Sequence, residues 1–147
     1  MRVAGLTAWQ VRIPLRKPIR HASHTRTETD NLVVRVRLAD GTVGFGEGVP
    51  REYVTGETIE SALDHLKRSD LRGQLGDWAD FPAAVAAIEK IQLAEIAGDD
   101  RRCRGNGARC AVELALLDAF GKHFGQPVSA AVKIAAPDLY DGRERVQ

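Results

Sequence analysis

The stretch from Leu32 to Gly48 constrains the fold more than any other. Leu32, Val34, Val36 and Leu38 alternate with Val33, Arg35 and Arg37, the period-two pattern of a strand with one buried face. Asp40-Gly41 follows, then a second strand-like run, Val43 to Gly48. An Asp-Gly pair between two such runs predicts a tight hairpin, because a type I′ turn needs positive φ and Gly supplies it without a Cβ clash. The two runs are therefore expected to be antiparallel neighbours.

Upstream, Val3 to Ile13 predicts a long strand with Val3, Gly5, Thr7, Trp9, Val11 and Ile13 on one face. Gly44, Gly46 and Gly48 share one face of the third strand. Each Gly weakens a strand, so two readings stand: another backbone or a ligand approaches closely there, or an edge strand tolerates them. The run is not a dinucleotide fingerprint, since Val49 stands where a third Gly would be needed and no parallel βαβ unit surrounds it.

After Pro50 the period becomes helical. Thr55 is a candidate N-cap with Glu57 in the first turn, and Ile59, Ala62, Leu63 and Leu66 follow at helical spacing. Asp80 is placed to cap a second helix that turns Phe81, Val85, Ile88 and Ile91 inward, with Pro82 near its first turn. A third helix, about Gly107 to His123, carries only Glu113 and Asp118 as charges between Cys110 and Phe120. A helix apolar nearly all round is buried on several sides. Asp118 and Lys122 are spaced to pair, and Gly125 and Pro127 end the helix. Three strands and then three helices give an α+β plan, a three-stranded antiparallel meander followed by a three-helix layer. Residues 129–147 read as an irregular or partly ordered tail.

The 147 residues suit one domain, or one with a small appendage. Aromatics are only 5%, so the core must be mostly Leu, Val, Ile and Ala. A net charge of +1 argues against a dedicated nucleic-acid binder. No run approaches the roughly 18 apolar residues of a membrane span, and no charged leader precedes an apolar stretch, so a cytoplasmic protein is expected. Cys103 and Cys110 fit neither a CxxC ligand set nor a disulfide framework; free thiols are the simple reading, zinc with His21 and His24 the alternative. Arg101, Arg102, Arg104 and Arg109 read as a solvated loop face.

Three stretches in this order resemble the N-terminal capping domain of the enolase superfamily, in its muconate-lactonizing and mandelate-racemase branch. They are the strand-loop-strand of Arg12 to Arg37, Asp40 to Gly48 leading into Tyr53-Val54-Thr55-Gly56-Glu57-Thr58, and Ala111 to Pro127. The resemblance covers roughly residues 2 to 128, taken as the capping domain 1–128. It implies a cap over the open end of a (β/α)₈ barrel, with two cap loops closing on the substrate. Carried onto this sequence, these are about Arg16 to Thr29 and about Val49 to Thr55. Ile19, His21 and His24 are the implied substrate-facing residues of the first loop, and Arg51 and Tyr53 those of the second.

The family's chemistry is proton abstraction beside a carboxylate, with Mg²⁺ stabilising the enediolate. The lysines and metal-binding acids that do this belong to the barrel. No Lys-x-Lys strand and no series of strand-end carboxylates occurs here, so no catalytic or metal-binding residue is assigned to this chain. The expectation is a truncated or frameshifted chain, inactive without its barrel, or else a self-associating interaction module; a homo-oligomer is expected.

Read from the residues alone, Arg12, Arg16, Lys17, Arg20 and Arg26 have no intervening acid, which suits an anionic substrate or a plain solvated loop. His21 and His24 are candidates to titrate near neutrality, or simple polar surface. Tyr53 is a lid or a packing anchor. Glu47 has no visible catalytic partner.

Overall fold

The computed structural model describes residues 1–20, 25–99, 101 and 104–139. Strands β1 (Val3–Arg20), β2 (Thr25–Leu38) and β3 (Val43–Gly48) form an antiparallel sheet in the order β1-β2-β3. Helices α1 (Glu52–Thr55), α2 (Ile59–Arg68), α3 (Leu71–Gln74), α4 (Phe81–Ile88) and α5 (Asn106–Phe124) follow. Beyond Pro127 the chain forms α6 (Ala130–Ala135), packed on α4, and a 3-10 turn at Pro137–Leu139. The expected α+β meander and helical layer are present, with α2, α4 and α5 as its main helices.

The β2–β3 hairpin is there, but its turn is not the expected two-residue one. Leu38 N–H donates to Thr42 O at 2.8 Å, and Gly41 N–H donates to Leu38 O at 3.0 Å, so Ala39, Asp40 and Gly41 form a three-residue loop. Only Gly41 has positive φ, at 90°, which matches the class that ends in a left-handed residue. Asp40 instead uses its carboxylate to accept Thr42 N–H at 2.9 Å.

The even residues of β2 face the helices, and Leu32, Val34, Val36 and Leu38 have no exposed surface. Pairing of Leu6 with Val36 and Ala8 with Val34 puts Leu6 and Ala8 on that same face. The more apolar face of β1 therefore points outward: Trp9 is 40% and Ile13 43% exposed, and the Arg35 guanidinium lies 5.2 Å from the Trp9 ring centre. An irregularity between Val3 and Gly5 lets Val3 pack at the core margin despite its odd number.

The three glycines of β3 have a physical cause. A Cβ on Gly44 would overlap backbone atoms of Ala115 and Ala119, one on Gly46 those of Ala111 and Ala115, and one on Gly48 those of Gly107. Two strand residues rise about 6.7 Å and four helical residues about 6.0 Å, so alternate glycines match every fourth residue of α5. Of the two readings, close approach of a backbone is the observed one. The same helix covers the free edge of β3. Asp118 Oδ2 accepts Phe45 N–H at 2.9 Å, and Lys122 Nζ donates to Val43 O at 3.1 Å and to Asp118 at 2.7 Å. An unpaired strand edge invites pairing with other chains, and here side chains occupy it.

Thr55 is not the N-cap of α2. It ends α1, where Gly56 (φ 75°) stops the helix, and Thr58 caps α2 by accepting Ser61 N–H at 3.2 Å in a capping box. Glu57 does other work: 2% exposed, it accepts Gly107 N–H at 3.1 Å. Helix α5 has no cap side chain of its own, so this carboxylate meets a free N–H where the helix dipole favours negative charge. Asp80 caps α4 as expected, accepting Ala83 N–H at 2.8 Å. Phe81, Val85, Ile88 and Ile91 are all buried, and Trp78 meets Phe120 with ring centres 4.8 Å apart.

Arg101, expected to be solvated, is tied into the fold. It donates to Asp99 Oδ2 at 2.5 Å, Gly56 O at 2.7 Å and Ser61 Oγ at 3.0 Å. Arg101 holds the Asp99 carboxyl well below the usual carboxylate range. Buried His65 lies beside it, with Nδ1 2.9 Å from Ala94 O and Nε2 3.5 Å from Asp99 Oδ2.

Candidate functional site

Beyond the helical layer the β1–β2 pair continues as a two-stranded ribbon. Pro14 pairs with Glu28, Ile19 with Arg26 and Arg20 with Thr25, with a register break between Pro14 and Ile19. Pro14 and Pro18 have no N–H for the ladder, which accounts for the break. The segment expected to be a loop, Arg16 to Thr29, is thus mostly strand. His21 and His24 lie outside the described residues.

A cleft of 560 Å³ opens between this ribbon and the segment Pro50–Tyr53. Arg26, Glu28 and Asp30 line one wall, and Arg51, Glu52 and Tyr53 the other; Glu57 and Glu60 border it as well. Two segments far apart in sequence are brought together here. Arg51 and Tyr53 line the cleft. Ile19 sits on the ribbon, 44% exposed, and is not in its lining.

A chain of hydrogen bonds fixes Arg51. Its Nη2 donates to Thr29 Oγ1 at 3.0 Å, and its Nη1 to Pro50 O at 3.3 Å. Thr29 Oγ1 donates to Asn31 Oδ1 at 2.7 Å, and Asn31 Nδ2 donates to Glu47 Oε1. Glu47 thus has a structural partner, and this chain ties the second cap segment to β2 and β3. Partial burial, with Arg26 nearby, pushes the Arg51 guanidinium below its ordinary value. The opposite wall has its own pairing. Asp30 accepts from Gln10 at 3.0 Å and from Arg12 at 3.2 Å, which holds its carboxyl below the usual range.

The acid-free stretch of the sequence is therefore not acid-free in space. Arg12 lies 3.4 Å from Glu28 and 3.2 Å from Asp30, supplied by the paired strand. The cleft presents both signs of charge and suits a small polar ligand carrying both. Neither Asn31 nor Glu47 was singled out as a fastener from sequence; the available signal was a polar Asn breaking the apolar run that starts at Leu32.

The described residues do not fit a metal site. No group of three His, Cys, Asp or Glu is placed to hold an ion among them, and two of the acids lining the cleft, Asp30 and Glu57, already accept hydrogen bonds. Cys110 is a free thiol 3.7 Å from Glu47 O, and burial together with Glu113 pushes it up. No helix among the described residues is long and apolar enough to cross a membrane.

Comparison with known proteins agrees with this geometry. The chain is 32% identical over 133 residues to an aromatic dipeptide epimerase of Herpetosiphon aurantiacus, covering 86% of this chain and 33% of that protein. It is 34% identical over 131 residues to an L-Lys-D/L-Arg epimerase of Methylococcus capsulatus, covering 87% of this chain and 33% of the relative. The crystal structure of a dipeptide epimerase from Methylococcus capsulatus, complexed with Mg and the dipeptide L-Arg-D-Lys, superposes with a TM-score of 0.67 at 29% identity, over 90% of this chain and 35% of that one. The chain spans about a third of the length of these relatives. The family described as mandelate racemase / muconate lactonizing enzyme, N-terminal domain, matches residues 3–132, and the chain belongs to it.

Proposed function

We propose that this chain is the substrate-capping domain of a cytoplasmic, metal-dependent isomerase or lyase that abstracts a proton beside a carboxylate. The observation that carries this reading is the cleft formed where the β1–β2 ribbon meets Pro50–Tyr53, the two segments that close on substrate in a cap of this family. In the complete enzyme, Mg²⁺ and the proton-transferring groups belong to the barrel. The part of this chain is to cover the substrate, exclude water and contact its distal end. Arg51 would meet an anionic group, Asp30 and Glu28 a cationic one, and Tyr53 an apolar or aromatic side chain.

Among the reactions open to such a cap, namely dipeptide epimerisation, muconate-type cycloisomerisation, o-succinylbenzoate synthesis and sugar-acid dehydration, epimerisation has the most support. Relatives of similar identity carry dipeptide epimerase names, and a dipeptide offers the mixed charges that the cleft complements. A chimera tests this. Residues 1–128 fused to the barrel of the Methylococcus capsulatus relative should give Mg²⁺-dependent dipeptide epimerisation, and Arg51→Ala or Tyr53→Ala should raise KM more than they lower kcat. A folded, metal-loaded chimera with no turnover on any dipeptide would refute the reading.

A second reading, a self-associating module, is favoured by the outer face of the sheet, where Trp9, Ile13 and Phe45 are exposed together with no helix of the described residues over them. Helix α5 offers little to such an interface: it is mostly buried, leaving Leu114 as its exposed large apolar side chain.

A further inference from the structure

The two edges of the sheet are treated differently. The β3 edge is occupied by Asp118 and Lys122 of α5. The β1 edge is not. Among the described residues, Val3–Ile13 make backbone hydrogen bonds only to β2. Cover begins on either side of that stretch: Arg2 is bridged to Asp77, and Pro14 lacks an N–H. Alongside Val3–Leu6 runs an open groove of 350 Å³ against Leu71 and Leu75.

We propose that β1 pairs antiparallel with β1 of a second copy, through a two-fold axis at Ala8, to make a continuous six-stranded sheet. This deepens the self-association reading by naming its interface. Three observations select a second copy. The open stretch is symmetric about Ala8, so the limits at Arg2 and Pro14 coincide when the strand meets itself. That register sets Gly5 against Val11 and Thr7 against Trp9 on the outer face, which carries the exposed apolar patch of Trp9 and Ile13 across the axis. The one charge in the stretch, Arg12, falls opposite Ala4, so no like charges meet, and Arg12 brings its own Asp30 with it. An isologous pairing of this kind closes on itself and stops at a dimer.

Light scattering on the 147-residue chain across a concentration series tests this. The wild type is expected at twice the monomer mass. Thr7→Lys combined with Trp9→Lys sets like charges against each other twice across the axis and should give monomers with unchanged circular dichroism. Thr7→Lys combined with Trp9→Glu sets opposite charges there and should restore the dimer. A monomeric wild type would overturn both the interface and self-association. A folded Lys/Lys variant that stays dimeric, or a monomeric Lys/Glu variant, would overturn the β1 pairing while leaving association by another face. If the Lys/Lys variant does not fold, amide exchange of the wild type decides. Protection of residues 3–13 must rise with concentration, and unchanged protection there overturns the proposal.

Discussion

The β3–α5 seam and the far end of the β1–β2 ribbon belong to one sheet, and they are built on opposite principles. At the seam, strand and helix backbones touch because Gly44, Gly46 and Gly48 face Gly107, Ala111, Ala115 and Ala119. Close backbone approach specifies it, with Asp118 and Lys122 of α5 on the β3 edge, and no side chain can be added at the three glycines. At the ribbon, shape specifies little. Pro14 and Pro18 break the ladder, and Gln10, Arg12, Thr29, Asp30, Asn31 and Arg51 hold it by polar contacts. A seam closed by backbone contact carrying a rim of polar side chains is a sensible division for a cap, since the polar rim is the part that meets a ligand.

The largest expected effect of a substitution is at the seam. Gly46→Val should destabilise the chain by about 3 kcal/mol, the upper end of ordinary overpacking costs, because backbone on both sides must move. Urea unfolding measures this, and a loss under about 1 kcal/mol would mean the seam is looser than described. Next is Glu57→Ala, which strips a buried acceptor from the start of α5; about 2 kcal/mol is expected in the same assay. At the ribbon the same test should give little. Thr29→Val, which breaks the tie to Arg51, is expected to cost about 1 kcal/mol or less, while amide exchange in residues 49–56 accelerates. A cost equal to that of Gly46→Val would erase the contrast between the two regions.

Acid supplies a finer probe. The carboxyl of Asp99 lies below its ordinary value of 3.8 because Arg101 hydrogen-bonds its ionised form. Its contribution is thus complete above that ordinary value and is lost as pH falls toward the depressed folded value. Asp99→Asn should lower stability near neutrality and flatten the acid limb of a stability–pH curve, whereas an unchanged limb would remove Asp99 from the balance. Asp30, Asp40 and Asp77 are also depressed, so a residual slope is expected in the variant.

The seam was legible in the sequence and the rim largely was not, for the same physical reason. Alternation in β2, three spaced glycines and an α5 that is apolar all round are side-chain patterns, and side-chain packing is what periodicity reports. The Asp80 cap was legible because Asp80 stands directly before Phe81 and Pro82, where the helical spacing begins. Two threonines, Thr55 and Thr58, competed to cap α2. The choice fell to Thr58 because Gly56 ends α1 just before it and because Ser61 returns the capping bond, an unusual partner for that motif. The ribbon holds its pairing through backbone and polar groups, so its prolines and basic residues read as a loop. The outward turn of Trp9 could not be read from β1 alone, since both of its faces carry apolar residues and the register with β2 decides between them.

The most direct test of the capping account is proton exchange at carbon. The purified 147-residue chain, incubated in D₂O with Mg²⁺ and L,L-dipeptides, is followed by NMR for deuterium at the Cα positions. No incorporation above the protein-free control is expected if, as proposed, the groups that remove the proton lie on the barrel. Deuterium uptake that depends on both Mg²⁺ and this chain alone would contradict it.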